Sequence, residues 1–172
     1  MPPDADVRVH VQPITPTLAA SVRALRVAPG QHDYVGDPAF NLDDAQRDPR
    51  SEAMAILAGD DVIGFYRLDL AANAVAGHGF AVAAMGVRAF LIDAGRQGRG
   101  HGTSAARAMC DDVRARHPHT RLLVLAVNCR NVVAIAAYLK AGFVDSGEVS
   151  PGGRAGTQQL MLCDLHATGM GL

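Results

Sequence analysis

Apolar residues recur along the chain with different periods, and each period predicts an element. Residues 7–11 alternate Val with polar side chains, which predicts a half-buried first strand. Apolar residues near helical spacing predict a helix from Thr17 that Pro29-Gly30 stops, and the continuous apolar run Leu122–Val127 is typical of a strand covered on both faces. The other predicted elements are a short helix at Asn41–Arg47, a hairpin of Ala53–Ala58 with Val62–Leu70, a strand at Val82–Asp93, helices at Ser104–Arg116 and Asn131–Lys140, and closing strands at Phe143–Val149 and Gln158–Leu165.

The order of these elements predicts a mixed three-layer α/β domain. A strand, a loop, a helix and a buried strand form a βαβ unit, which should cross over right-handed and place its two strands parallel. We expect one domain over residues 1–172, since this length suits a single core. Residues 31–40 are predicted as a long polar loop of functional interest, and residues 71–79 as a plain connection.

Composition and charge narrow the function classes. The chain is 49% hydrophobic and 19% charged, without a membrane-spanning apolar stretch or a signal-like start, so we expect a soluble cytoplasmic protein with no membrane contact. Three cysteines without paired spacing argue against a disulfide framework and against a metal site. A net charge of −1 excludes a generally basic nucleic-acid binder.

The charges are unevenly placed along the chain. Residues 33–69 carry nine acidic against three basic side chains, whereas residues 96–130 carry seven arginines against two aspartates. The first segment suits a cation and the second a polyphosphate, although an ordinary solvated surface would show the same bias.

The glycine-rich stretch Gln97–Thr103 is the strongest chemical signal. It stands between the strand ending at Asp93 and the helix starting at Ser104, so its glycines occupy a strand-to-helix turn. Glycine allows positive φ and a close approach of ligand to backbone, and the first N–H groups of a helix attract anions. The stretch therefore predicts a pyrophosphate site.

Three phosphate-binding loops have comparable spacing. A Walker A loop would place lysine where His101 stands, and a dinucleotide fingerprint would need another glycine spacing and an acidic residue where the next strand ends at Asn128. The pattern Gln/Arg-x-x-Gly-x-Gly/Ala is met by Gln97, Gly100 and Gly102. This third pattern resembles the coenzyme A loop of the GNAT acyltransferase superfamily.

A second motif follows on the next predicted helix, in the form Asn131-x-x-Ala134-x-x-x-Tyr138-x-x-x-Gly142-Phe143. The spacing places its amide and phenol near one helical face, although a capping Asn and a core Tyr would show it too. Together with the glycine loop in a βαβ setting, it resembles GNAT motifs A and B. The resemblance runs from about Val7 to Leu165.

The resemblance implies a three-layer fold whose mixed central sheet has about seven strands with helices on both faces. It also implies an acetyl-CoA-dependent N-acetyltransferase that acts on a primary amine by direct transfer, with Tyr138 as general acid. The positions that match cofactor contacts are Phe90, Leu91 and Ile92 on a splayed strand, Gln97, Gly98, Arg99, Gly100, His101, Gly102 and Thr103 in the loop, and Asn131 on the following helix.

A polyamine or diamine acceptor is favoured, because the acidic segment suits a cationic amine and several short stretches look similar to bacterial polyamine acetyltransferases. An amino acid, an aminoglycoside and a protein N-terminus are the alternatives. The stretches are Leu25-x-Val27-x-Pro29-x-Gln31, Ile63-Gly64-Phe65, Arg88-x-Phe90-x-Ile92-Asp93, and Gly142-Phe143 with Gly147-Glu148.

The general base stays unassigned. Many GNAT enzymes carry a glutamate on the buried strand before motif B, where this chain has Ala126. Glu52, Asp69 and Glu148 are candidates for the base or for amine docking, and each would otherwise be a surface carboxylate. A non-catalytic acyl-CoA-binding sensor and a nucleotide-binding protein are the rival classes, and the resemblance allows a homodimer.

Overall fold

A computed structural model describes residues 7–151 and 156–167 of the chain. The strands in these ranges are β1 (Val9–Pro13), β2 (Ser51–Ala58), β3 (Asp61–Asp69), β4 (Ala84–Ile92), β5 (Leu122–Asn128), β6 (Val144–Ser150) and β7 (Gln158–Asp164). The helices are α1 (Pro16–Arg23), α2 (His32–Val35), α3 (Pro38–Arg47), α4 (Asn73–Ala76), α5 (His101–Arg116) and α6 (Val132–Ala141), with a 3-10 turn at Ala94–Arg96.

The strands form one seven-stranded sheet in the order β1-β2-β3-β4-β5-β7-β6. Neighbouring strands are antiparallel except β4 and β5, which are parallel, as the βαβ unit requires. The predicted closing hairpin is present, with β7 lying between β5 and β6. The mixed α/β fold expected from the sequence is therefore confirmed.

Alternating side chains decide what each face of the sheet buries. Along β2, Met54 and Ile56 pack into the core that α5 and α6 cover, while Ala55 and Leu57 join the core that α1 and α3 cover. A third cluster lies under α4, around Ala72 and Val124. The sheet is thus the middle layer of three.

The first helix is shorter than its apolar pattern predicts. It ends at Arg23, because the backbone of Arg26 is bound to the end of β4 instead of continuing the helix. Asp93 Oδ1 accepts from the Arg26 N–H at 2.7 Å, and the Ala94 N–H donates to the Arg26 carbonyl at 2.9 Å. Tertiary hydrogen bonds thus replace those of the next helical turn.

Local capping moves other boundaries. Helix α3 begins at Pro38 rather than Asn41, since the Asp37 side chain accepts from the Phe40 N–H at 3.1 Å and proline suits the first helical position. The predicted loop at 31–40 contains α2, and the connection at 71–79 contains α4.

Residues 1–6, 152–155 and 168–172 lie outside the described residues, so part of the connection between the two closing strands is among them. Across residues 7–151 and 156–167, no helix is long and apolar enough to cross a membrane.

Candidate active site

The parallel strands β4 and β5 diverge in the middle of the sheet. They pair only from Ala84–Val87 with Leu122–Leu125, and beyond that point the strands separate. Ala89 has φ 55°, the only positive φ of a non-glycine residue in the described ranges, and the register between β3 and β4 shifts here. This bulge leaves residues 88–92 without a strand partner on the β5 side. We call the point of divergence the fork.

A cleft of about 500 Å³ opens at the fork. It is lined by residues 87–92 of β4, by much of the glycine loop, and by one face of α6. Phe90 and Ile92 are partly buried and Leu91 is buried. The three strand residues predicted as cofactor contacts all line this cleft.

The glycine loop lies at the start of α5. Gly98 and Gly100 have φ of 78° and 79°, conformations in which a side chain would be strained. Gly100 is the N-cap of the helix and supplies no side-chain hydrogen bond, so no cap side chain covers the first N–H groups of this 16-residue helix. The loop therefore presents backbone donors at the positive end of the helix dipole.

Other loop residues have separate roles. The Gln97 side chain donates to the Ile92 carbonyl at 3.0 Å and to Gln31 Oε1 at 2.9 Å, so it anchors the loop to β4 and to the segment before α2. His101 is buried at the first turn of α5. Arg99 does not line the cleft and lies along a neighbouring groove between α5 and β1, whereas Gly102 and Thr103 line the cleft.

Asn131, the N-cap of α6, and Tyr138 within α6 both line the cleft, as their spacing predicts. Asn131 Oδ1 accepts from the Ala134 N–H at 3.4 Å, so it caps the helix while it borders the cleft. Tyr138 is buried beneath the fork and contacts Phe90 edge to face, with ring centroids 5.6 Å apart. Burial raises the pKa of the Tyr138 phenol well above its usual value, so the phenol keeps its proton at neutral pH.

Most of the residues that line this cleft lie within the match to a known protein family. The profile described as the acetyltransferase (GNAT) family matches residues 19–143, a range that includes the fork, the glycine loop and Tyr138. The chain belongs to the acetyltransferase (GNAT) family. The expected N-acetyltransferase with acetyl-CoA as cosubstrate is thereby confirmed at the level of the family.

Solved GNAT structures share the fold at low identity. The aminoglycoside acetyltransferase AAC(6')-Ib, in complex with paromomycin and acetyl-CoA, superposes with a TM-score of 0.70 at 17% identity over 91% of this chain and 93% of that one. Spermidine N-acetyltransferase from Vibrio cholerae, in complex with CoA and spermine, gives 0.70 at 14% identity over 92% and 96%. Among curated proteins, none matches the sequence of this chain.

The three candidate carboxylates are not brought together by the GNAT fold, and none lines the cleft. Glu52 accepts hydrogen bonds from Arg116 Nη1 at 2.8 Å and His117 Nε2 at 2.7 Å, near the end of α5 opposite the glycine loop. Partial burial opposes ionisation of Glu52, but these hydrogen bonds outweigh it and lower the pKa of the carboxyl. Glu52 therefore has structural partners.

Glu148 is exposed on β6 and pairs with His78 Nε2 at 3.2 Å. The Gly79 carbonyl and then Glu148 raise the pKa of His78. Asp69 is buried behind Arg88, whose Nη2 donates to Asp69 Oδ1 at 3.0 Å, and it also accepts from Ser51 Oγ at 3.1 Å. Of the three, only Asp69 approaches the cleft, through Arg88.

Several cleft residues were absent from the sequence-based site. Tyr34 on α2 and Arg88 on β4 lie on the side of the sheet that carries α1 and α3, which we call the α3 side, whereas Ala126 on β5 packs on the cluster under α4. Tyr34 belongs to the predicted functional loop, and Arg88 to the stretch that looked similar to polyamine acetyltransferases. The missing signal was the bulge at Ala89, which opens the strands at this point.

Proposed function

We propose that this GNAT domain transfers the acetyl group of acetyl-CoA directly to a primary amine of a small molecule. The observation that supports it best is the fork, where unpaired β4 backbone, the glycine loop and the protonated Tyr138 phenol border one cleft. The size of the cleft, about 500 Å³, is in the range of small-molecule sites.

The residues present fit the cosubstrate. Residues 98–103 supply backbone N–H groups for the pyrophosphate, and the β5-facing backbone of Phe90–Ile92 can bond the pantetheine arm. Asn131 borders the same cleft. Acetyl-CoA, when bound, supplies the thioester carbonyl that the amine attacks.

The proposed chemistry needs no covalent intermediate on the protein. The amine nitrogen, once deprotonated, bonds to the thioester carbon, and backbone donors at the fork stabilise the developing oxyanion. As the carbon–sulfur bond breaks, Tyr138 donates its proton to the leaving thiolate, and the second proton that the nitrogen loses on becoming an amide returns to the Tyr138 phenolate. Because no Asp or Glu in the described ranges lines the cleft, the proton of the amine leaves to water.

The acceptor class is a finer proposal. A polyamine or diamine is supported by the acidic segment at 33–69 and by the likeness to spermidine N-acetyltransferase, while the likeness to an aminoglycoside acetyltransferase supports a different polycation equally well. Within the acidic segment, however, Asp43 pairs with Arg23 and Asp44 with Arg67. These carboxylates already have partners.

The test is release of CoA from acetyl-CoA against a panel of amines that contains spermidine, spermine, amino acids and an aminoglycoside. Turnover that depends on Tyr138 supports the enzyme. Binding of CoA without turnover on any amine would replace the proposal with the acyl-CoA sensor, and binding of ATP in place of CoA would support a nucleotide-binding protein.

A further inference from the structure

On the α3 side, the charged side chain that lines the cleft is a cation, Arg88, whereas the carboxylates that act on it, those of Asp69, Asp44 and Asp48, are not part of the lining. Three charged side chains line the cleft among the described residues, namely Arg88, Arg96 and Lys140, and none is acidic. Arg96 directly precedes the glycine loop and pairs with Asp61 at 3.1 Å, and Lys140 lies in the last turn of α6, so neither lies on β4 at the fork. Arg88 is the charge left for the acceptor.

Arg88 lies at the fork itself. It follows Val87, the last β4 residue that pairs with β5, and it precedes the bulge at Ala89. Its side chain remains 41% exposed, whereas that of its partner Asp69 is 5% exposed. A molecule that enters from the α3 side therefore meets the guanidinium of Arg88 before it meets the carboxylate of Asp69.

A buried network fixes the orientation of this guanidinium. Asp69 binds Nε and Nη2 of Arg88 and accepts from Ser51 Oγ. Ser51 Oγ in turn accepts from Nε and Nη2 of Arg67, at 3.3 and 3.2 Å, and Arg67 Nη1 donates to Asp44 at 2.8 Å. Arg67 is 2% exposed and Asp44, at the far end of these bonds, is 46% exposed, so the bonds run from a buried centre to the surface and hold Arg88 from behind.

The bonds to Asp69 use only one edge of the guanidinium. Arginine has five N–H donors in a planar fork, and the Nη1 amino group of Arg88 makes no hydrogen bond within the described ranges. A second carboxylate can therefore bind at the remaining edge. An ammonium group, in contrast, would find no described carboxylate in the cleft to compensate for its lost hydration.

We propose that the acceptor is a primary amine that also carries a carboxylate, such as an amino acid, and that Arg88 binds this carboxylate so that the amine faces the fork. The inference rests on the proposed acetyltransfer and names its substrate class. It replaces the polyamine that the sequence favours, and it makes Arg88 a specificity-determining residue.

The experiment uses acceptors that differ only in the carboxylate. Ornithine is compared with putrescine, and lysine with its methyl ester, at saturating acetyl-CoA, with kcat/KM measured from CoA formation. We expect the carboxylated member of each pair to be preferred about 10-fold or more, the size of a charge-assisted hydrogen bond to substrate.

Variants of Arg88 separate recognition from folding. Arg88→Gln should lower kcat/KM for ornithine about 10- to 100-fold and change that for putrescine less than about 3-fold, with the KM for acetyl-CoA unchanged. Arg88→Lys should restore part of the loss. Arg88→Gln leaves the buried carboxylate of Asp69 without its cation. The double variant Arg88→Gln/Asp69→Asn removes that buried charge as well, and its ratio of kcat/KM for ornithine to kcat/KM for putrescine should equal that of Arg88→Gln.

The possible results distinguish failure of the carboxylate site from failure of the acetyltransferase proposal. A preference for putrescine over ornithine, or an equal loss on both in the Arg88 variants, overturns the carboxylate site while leaving the acetyltransferase intact. No turnover on any of the four amines, with turnover on another amine of the wider panel, overturns this inference alone. No turnover on any amine of the panel, with CoA still bound, overturns the proposed function and this inference with it.

Discussion

At the scale of single residues, two buried phenols lie beneath the fork, and Tyr138, but not Tyr66, is proposed to act in catalysis. Tyr66, Phe90 and Tyr138 pack in series, with ring centroids 5.9 and 5.6 Å apart. Both phenols have a pKa raised by burial, yet only Tyr138 lines the cleft. The Tyr66 hydroxyl is buried with no hydrogen-bond partner.

This difference predicts that replacing tyrosine by phenylalanine has different effects on activity and stability at the two positions. Tyr138→Phe should lower kcat about 10- to 100-fold with little change in the KM for acetyl-CoA, because it removes a general acid used only as the thiolate leaves. Tyr66→Phe, the matched control, should keep kcat and raise the unfolding free energy by about 1 kcal/mol, because it removes a buried unsatisfied hydroxyl. Steady-state kinetics and thermal melts check both, and an unchanged kcat in Tyr138→Phe would exclude the role in catalysis.

Glu52 predicts a pH dependence of stability. Its bonds with Arg116 and His117 lower its pKa in the folded state, so its contribution is complete above the ordinary carboxyl pKa of 4.5 and is lost as the pH falls through the lower folded value. Glu52→Gln should lower Tm by about 2 °C at pH 7, a small effect because the pair is partly solvated.

The difference in Tm between the Glu52→Gln variant and the parent should shrink as the pH falls below about 4, since the protonated glutamate then resembles glutamine. Thermal melts between about pH 7 and pH 3 measure it. A difference that stays constant with pH would mean that packing, and not charge, is lost. Activity at pH 7 should not change, because Glu52 lies outside the cleft.

At the scale of elements, the start of α5 is the proposed site of the cosubstrate pyrophosphate. Gly100 and Gly77 both adopt left-handed conformations, with φ of 79° and 76°, and neither has an atom within 4 Å of an added Cβ. Gly100 begins α5 at the cleft, whereas Gly77 ends α4. The two positions therefore share backbone strain and differ in location.

Gly100→Ala and Gly77→Ala should each cost about 1–2 kcal/mol of stability, because alanine is strained at these angles. Only Gly100→Ala should also raise the KM for acetyl-CoA, by about 10-fold, since a shift of the loop backbone misplaces the pyrophosphate donors. Melts and initial rates measured side by side test this. An equal KM in both variants would show that the loop does not bind the cosubstrate.

At the scale of the whole molecule, the layers determine which thiols react. Cys110 on α5 and Cys163 on β7 are buried with their sulfurs 3.8 Å apart, while Cys129 is exposed. We expect one thiol per chain to react rapidly with a thiol reagent in the folded protein and two more after unfolding. Three rapid thiols would contradict the packing, and a Cys129→Ser variant should show none.

The homodimer stays a prediction, which light scattering would test.

The sequence by itself determined the parts of this protein that depend on local spacing. The period of the apolar residues predicted the strands and the larger helices, and the glycine loop at Gly98–Gly102 with the helix spacing of Asn131 and Tyr138 predicted residues that line one cleft. These features depend on neighbours within a few residues, which sequence patterns record directly.

The tertiary structure was needed for the features that depend on contacts between residues far apart in the chain. The early end of α1 depends on hydrogen bonds between Arg26 and Asp93, far apart in the chain, and the partners of Glu52 come from the distant end of α5. Likewise, the acidic character of residues 33–69 suggested a cation site, but folding pairs Asp69 with Arg88 and exposes the arginine. The charge that a substrate meets depends on which partner is buried, and burial is a property of the fold rather than of the sequence.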